Sequence, residues 1–134
     1  MIVVDASAAI ALLLRAGVGE RIARRTIDDG QDLHAPALID LEVVQVLRRF
    51  VRATTLTSSQ AAAALGAWIA IDLERHAHDA LLRRIWALRA NLTAYDAAYV
   101  ALAEVLRAPL VTCDRKLATS SGHEATIEVF ANDP

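Results

Sequence analysis

Ile2-Val3-Val4-Asp5-Ala6-Ser7-Ala8-Ala9-Ile10-Ala11-Leu12, residues 2–12, runs from three β-branched residues into an alanine- and leucine-rich stretch, with one acid at the join. The three branched residues predict a short buried strand, and Ala6 to Arg15 a helix stopped by Gly17. The same unit returns near the other end. Leu110-Val111-Thr112-Cys113 follows Pro109 as a strand, Asp114 stands at the join, and a short helix begins at Arg115. Strand, acid, helix, twice over, is the layout of a parallel α/β sheet, whose ligands bind beyond the carboxyl ends of its strands.

The intervening chain keeps that alternation. A helix is predicted from Glu20 to Asp29 with Gly30 past its end, then a strand at Leu33-His34-Ala35. Pro36 suits the first position of a long helix running to about Ala53. Thr57-Ser58-Ser59-Gln60 has a capping-box pattern and opens a helix through Trp68 to Ile71. Asp72-Leu73-Glu74 reads as a short third strand, followed by helices over Asp79 to Ala90 and Thr93 to Arg107, and a last strand over Thr126 to Phe130. Such alternation predicts a parallel sheet covered on both faces. With 134 residues and no repeat or linker, residues 1–134 are read as one domain.

Hydrophobic residues make up 55% of the chain, which excludes a disordered protein. A single cysteine, Cys113, excludes an internal disulfide and suits a reducing compartment. No basic leader precedes Ile2, and the longest uncharged stretch, Ala53 to Ile71, is too polar in its first half to cross a bilayer. The expectation is a cytoplasmic protein without a membrane partner. A net charge of −2 gives no global footprint for nucleic acid. Lys116 is the only lysine among fourteen basic residues, a bias that GC-rich coding also produces.

Four acids invite a chemical reading: Asp5, Glu42, Asp96 and Asp114. Asp5 and Asp114 each have an alternative as helix N-caps, and Asp96 as the acid of a Thr93-x-x-Asp96 cap. Asp96 is the hardest to explain so. From Ala94 to Val105 the only charges are Asp96 and Glu104, and a helix apolar nearly all round is buried. A carboxylate on it needs a partner. On the helix after Pro36, periodicity does not choose between Asp40 and Glu42. Ser7 and Thr112 each lie two residues from an acid, a reach suited to orienting a carboxylate. Converging carboxylates repel unless a cation neutralises them, which points to a hard divalent metal. Cys113 is read as core by strand alternation, and His76 and His78 as solvent-exposed, leaving no Cys/His arrangement for zinc.

Four segments in register, Val3 to Ser7, Pro36 to Arg49, Leu92 to Ala103 and Leu110 to Leu117, resemble the PIN-domain family. Within it the chain looks most like the VapC-type ribonuclease toxins of bacterial toxin–antitoxin pairs. The resemblance implies a three-layer α/β/α sandwich with a central parallel sheet. It places the family's acids on Asp5, Glu42 (six residues after Pro36), Asp96 and Asp114, and its accessory hydroxyls on Ser7 and Thr112. Asp5, Asp96 and Asp114 would hold Mg²⁺ or Mn²⁺, which prefer carboxylate and water oxygens. The implied activity is an endoribonuclease that uses an activated water, leaves a 5′-phosphate and a 3′-hydroxyl, and inhibits translation and growth. The implied partners are RNA and a VapB-type antitoxin that wraps the toxin and blocks its site.

Arg48, Arg49 and Arg52, on the polar face of the Glu42 helix, and Arg15, closing the first helix, are the candidate RNA contacts. Arg83, Arg84 and Arg89 form a weaker group. Apolar side chains after Gly17 and from Ala61 to Ile71, including Trp68, predict a homodimer that combines with antitoxin. Two other classes fit less well. A phosphoacceptor receiver domain pairs acids after its first strand and needs a late lysine, whereas Ala6 follows Asp5 and Lys116 precedes the last strand. A haloacid-dehalogenase-like phosphatase needs Asp-x-Asp, and residue 7 is Ser7. An inactive PIN domain serving as a binding module is the third alternative.

Overall fold

The structure, a computed structural model, describes residues 1–15 and 17–131. Strands β1 (Ile2–Val4), β2 (Leu33–Pro36), β3 (Leu73–His76), β4 (Leu110–Thr112) and β5 (Ile127–Val129) form one parallel sheet in the order β3-β2-β1-β4-β5. Between them run α1 (Ala6–Leu14), α2 (Val18–Ala23), α3 (Ile39–Arg52), α4 (Ser58–Ala70), α5 (Leu82–Ala87), α6 (Ala94–Leu106) and α7 (Arg115–Ala118). From β1 the chain steps outward to β2 and β3, then jumps back across the sheet to β4. With right-handed crossovers, the two directions of travel place their helices on opposite faces. α1 packs on α2, α3 and α4, while α6 lies against β1, β2 and β4. This is the expected three-layer α/β/α sandwich.

The core is made by the runs that the sequence marks as continuous apolar strands. Ile2, Val3, Val4, Leu110 and Val111 are buried, as a central parallel strand covered on both faces requires. α6 is buried from Ala97 through Ala103, so a largely alanine helix lies close on the sheet. α2 approaches α1 closely as well: a Cβ added at Gly19 would sit 2.0 Å from the Ala11 carbonyl oxygen. Among the described residues no helix is long and apolar enough to cross a membrane.

Two local expectations are corrected. Pro36 ends β2 instead of opening α3, which begins three residues later at Ile39. The next residue, Ala37, donates its N–H to the His76 carbonyl at 2.8 Å on the β3 side. The donor that Pro36 lacks therefore falls on the β1 side, and β1 has already ended at Val4, so the strand tolerates the proline. The second predicted helix starts earlier, at Val18, and its last turn, Arg24–Asp28, is π-helical. There the buried Thr26 hydroxyl donates to the Ile22 carbonyl at 2.7 Å, and the Asp29 amide reaches back five residues to Arg24.

Strand order changes direction between β1 and β4. The crevice beyond their carboxyl ends is the topological switch point where such sheets bind ligands. Asp5 and Asp114 flank it.

Candidate active site

Asp5 is buried at the end of β1 and fully engaged. One carboxylate oxygen accepts from the Ser7 hydroxyl at 2.6 Å and from the Ala8 amide at 2.9 Å; the other accepts from the Thr112 hydroxyl. Ser7 and Thr112 therefore each commit their proton to Asp5, and their oxygens stand 3.4 Å apart. Each also accepts a backbone N–H from the turn after β4: Cys113 onto Ser7 at 2.9 Å, and Asp114 onto Thr112 at 3.0 Å. Two hydroxyls thus join the β1–α1 turn to the β4–α7 turn through one carboxylate. Asp5 also caps α1 through Ala8, as its N-cap reading expects. Asp114 caps α7 by accepting from the Lys116 amide at 2.9 Å.

Glu42 reaches the same crevice from α3. Its Oε1 accepts from the Tyr99 hydroxyl of α6 at 2.6 Å. Asp96 lies one turn before Tyr99 on α6, with its amide on the N-cap Thr93 hydroxyl at 3.2 Å. The electrostatics tie the acids together. Burial pushes the Asp5 carboxyl up, its three donors pull it back, and the Asp96 charge adds to the rise. Burial also raises Glu42, against the Tyr99 bond, with help from the Asp5 and Asp96 charges. Asp96 is raised by burial and then by Asp114, partly offset by Thr93. The Tyr99 phenol is pushed far up by burial and by Glu42, so it stays a donor.

Each of these carboxylates feels another of the set, yet among the described residues no three of them bring ligand oxygens within 4.8 Å of one another. Mg²⁺ keeps several waters and takes only one or two carboxylates directly, so it does not need three carboxylates in mutual contact. The donor chemistry, carboxylate and hydroxyl oxygens with mutually repelling charge, fits a hard divalent cation.

Asp40, the rival of Glu42, lies elsewhere. It accepts from the Trp68 indole at 2.8 Å and from Arg75 at 2.7 Å, and Arg75 holds its carboxyl below the usual range. Trp68 is itself buried, so it offers nothing to a dimer contact; the exposed tryptophan is Trp86 on α5. Val18 and Ile22 after Gly17 are buried too. Cys113 is only half-buried, because β4 ends at Thr112 and strand alternation stops there. Burial pushes its thiol up. His76 and His78 are half-buried and hydrogen-bonded, not fully solvent-exposed. His78 accepts the Leu38 amide at 3.1 Å, and His76 contacts His34 at 2.9 Å.

The arginines divide. Arg49 lines a cavity of about 210 Å³ with Glu42, Ala6 and Gln45. Arg48 and Arg52 face a different groove, between α3 and α4. Arg15 is exposed at the left-handed end of α1. Arg84 forms a two-pronged pair with Glu104 at 2.8 Å, and Arg89 stacks on Trp86 with 4.3 Å to the ring centre, so neither is a free phosphate contact. Tyr99 is the site residue that sequence reasoning missed. Its spacing of three from Asp96, on a helix otherwise alanine-rich, was the available signal.

A model of the family described as PIN domain matches residues 2–120. The chain belongs to the PIN-domain family. It is 40% identical over 131 residues to Ribonuclease VapC12 of Mycobacterium tuberculosis, covering 98% of this chain and 100% of that one. It is 41% identical over 129 residues to VapC ribonuclease Mb0985 of Mycobacterium bovis, covering 96% and 98%. Among solved structures it is similar to PAE2754 from Pyrobaculum aerophilum, with a TM-score of 0.70 at 26% identity, covering 96% of this chain and 83% of that one. VapBC2 from Rickettsia felis, solved bound to a DNA fragment from their promoter, shares the PIN fold, with a TM-score of 0.70 at 13% identity over 97% and 99% of the chains.

Proposed function

We propose that this PIN domain is a metal-dependent endoribonuclease acting as the toxin of a toxin–antitoxin pair. The observation that carries the reading is the joint placement of Asp5, Glu42 and Asp96, from three separate elements, in one another's electrostatic field. The identity to proteins named as VapC ribonucleases over nearly the whole chain supports the substrate class.

Asp5, Asp96 and Asp114 are the residues to hold Mg²⁺ or Mn²⁺. Such an ion, when bound, acidifies a water and neutralises charge on the scissile phosphate. The chain's own residues do the rest. Ser7 and Thr112 fix the Asp5 carboxylate by donating to both of its oxygens. Glu42, raised by burial and oriented by Tyr99, takes the proton of the attacking water. Attack on phosphorus breaks its bond to the 3′-oxygen, leaving a 5′-phosphate and a 3′-hydroxyl. Arg49, beside Glu42, is placed to meet a phosphate oxygen.

The groove between α3 and α4 is the seat for an antitoxin segment. Val44, Leu47, Val51, Ala61, Ala62 and Leu65 line about 410 Å³ of it, flanked by Arg48 and Arg52. An antitoxin arginine would then complement the acids. Leu82, Trp86 and Tyr95, all exposed on α5 and α6, are the surface for a homodimer. Incubating the purified chain with structured RNA, with Mg²⁺ or with a chelator, tests the proposal. Cleavage with Mg²⁺ that stops on chelation and returns on re-addition is the expected result. RNA bound but intact in both conditions would make the chain a binding module.

A further inference from the structure

His34 stands on β2, and Glu74 and His76 on the neighbouring edge strand β3. His34 and Glu74 are register partners, and His76 lies two residues beyond, so alternation sends all three side chains to one face. His34 Nδ1 is 2.9 Å from His76 Nε2 and 3.4 Å from Glu74 Oε2. All three ligand atoms lie within 4.8 Å of one another, and among the described residues no other group of three His, Cys, Asp or Glu does so.

That spacing is close to what a metal would impose. Tetrahedral zinc bonds imidazole nitrogen at roughly 2.0–2.1 Å, which sets neighbouring ligand atoms about 3.3 Å apart. The observed distances fall on either side of that value. His34 is buried and fixes the inner side, whereas the Glu74 side chain is 67% exposed and free to adjust. His34 and Glu74 also line a cleft of about 660 Å³ shared with Asp32 and Asp72, which gives an ion and a solvent ligand a way in and adds negative charge. Two imidazoles and a carboxylate favour Zn²⁺ and similar transition ions over Mg²⁺.

We propose that His34, Glu74 and His76 form a transition-metal site, separate from the four acids, that clips the edge strand β3 to β2. It bears on the site indirectly. The His76 carbonyl accepts the Ala37 amide and the His78 ring accepts the Leu38 amide, so the end of β3 holds the turn that launches α3 and Glu42.

The test uses the full chain without a histidine tag, stripped of metal and kept in millimolar Mg²⁺ to occupy the acids. Zn²⁺ is titrated against a chromogenic chelator, and Co²⁺ is added as a spectroscopic probe. Wild type is expected to bind one Zn²⁺ per chain, to give the intense visible bands of four-coordinate Co²⁺, and to melt higher with Zn²⁺. Glu74→Gln and His76→Ala, on the exposed strand, are expected to weaken binding about tenfold or more. Asp96→Asn is expected to leave it unchanged. Equal Zn²⁺ affinity in wild type and His76→Ala, or Zn²⁺ uptake abolished by Asp96→Asn, would overturn the proposal.

Discussion

The Tyr99 hydroxyl donates to Glu42 Oε1 at 2.6 Å, joining α6 to α3 across the crevice. The bond sets where the Glu42 carboxylate points. Tyr99→Phe removes the donor and little else. Losing a hydrogen bond to a charged group costs about 1.5–3 kcal/mol where it is fully buried, and less at this half-buried carboxylate. The Glu42 carboxyl should rise further, because the Tyr99 bond is what holds it down. RNA cleavage should fall about tenfold or more, with the acid limb of its pH profile moved upward. An unchanged profile would show that Tyr99 is only a packing residue.

Thr112 is placed by its hydroxyl, not by its methyl group. It donates to Asp5 and accepts from the Asp114 amide. Thr112→Val keeps the shape but strips a buried carboxylate oxygen of its donor, which costs about 1–3 kcal/mol. Thr112→Ser should recover most of the loss. Denaturant melts of both variants measure this, and equal stability of Val and Ser at this position would contradict it.

The pH dependence follows from the raised acids. Burial, then mutual charge, lifts Asp5, Glu42 and Asp96 above their ordinary values. The folded protein therefore holds protons that the unfolded chain releases. Without divalent metal, stability should fall as pH rises from about 4 through the raised folded values. Mg²⁺ should raise the melting temperature at neutral pH more than at acid pH, as a ligand of the folded cluster alone would. Asp96→Asn should melt higher than wild type without metal and respond less to it. Asp5→Asn gains less, because Asp5 uses both oxygens as acceptors. Melting temperatures indifferent to Mg²⁺ at every pH would remove the electrostatic basis of the site.

Gly19 offers a test of the packing. A Cβ there would lie 2.0 Å from the Ala11 carbonyl oxygen, a backbone atom that cannot step aside alone. Gly19→Ala should separate α2 from α1 and cost about 3 kcal/mol or more. A variant as stable as wild type would mean that the two helices are not so close.

The acids at strand ends were legible because position alone sends Asp5 and Asp114 to one edge of a parallel sheet. The sheet and its layers were legible for the same reason. Glu42 was not separable from Asp40 by periodicity: Glu42 borders the polar face of α3, while Asp40 projects into the apolar arc near Val44 and Leu47. The difference is tertiary: Asp40 meets Trp68 and Arg75, and Glu42 meets Tyr99. His34 beside His76 was equally hidden, because strand pairing, not spacing, brings residues 42 apart into contact. Pro36 misled because its fixed φ suits a helix start as well as a strand end.

The central claim is that Asp96 serves RNA cleavage through a divalent ion. It is tested most directly by single-turnover cleavage of RNA by wild type and Asp96→Asn at matched Mg²⁺, with folding of both checked by melting. A folded variant whose rate is lower by on the order of 10²-fold or more is the expected result. A folded Asp96→Asn protein that cleaves at the wild-type rate would contradict it.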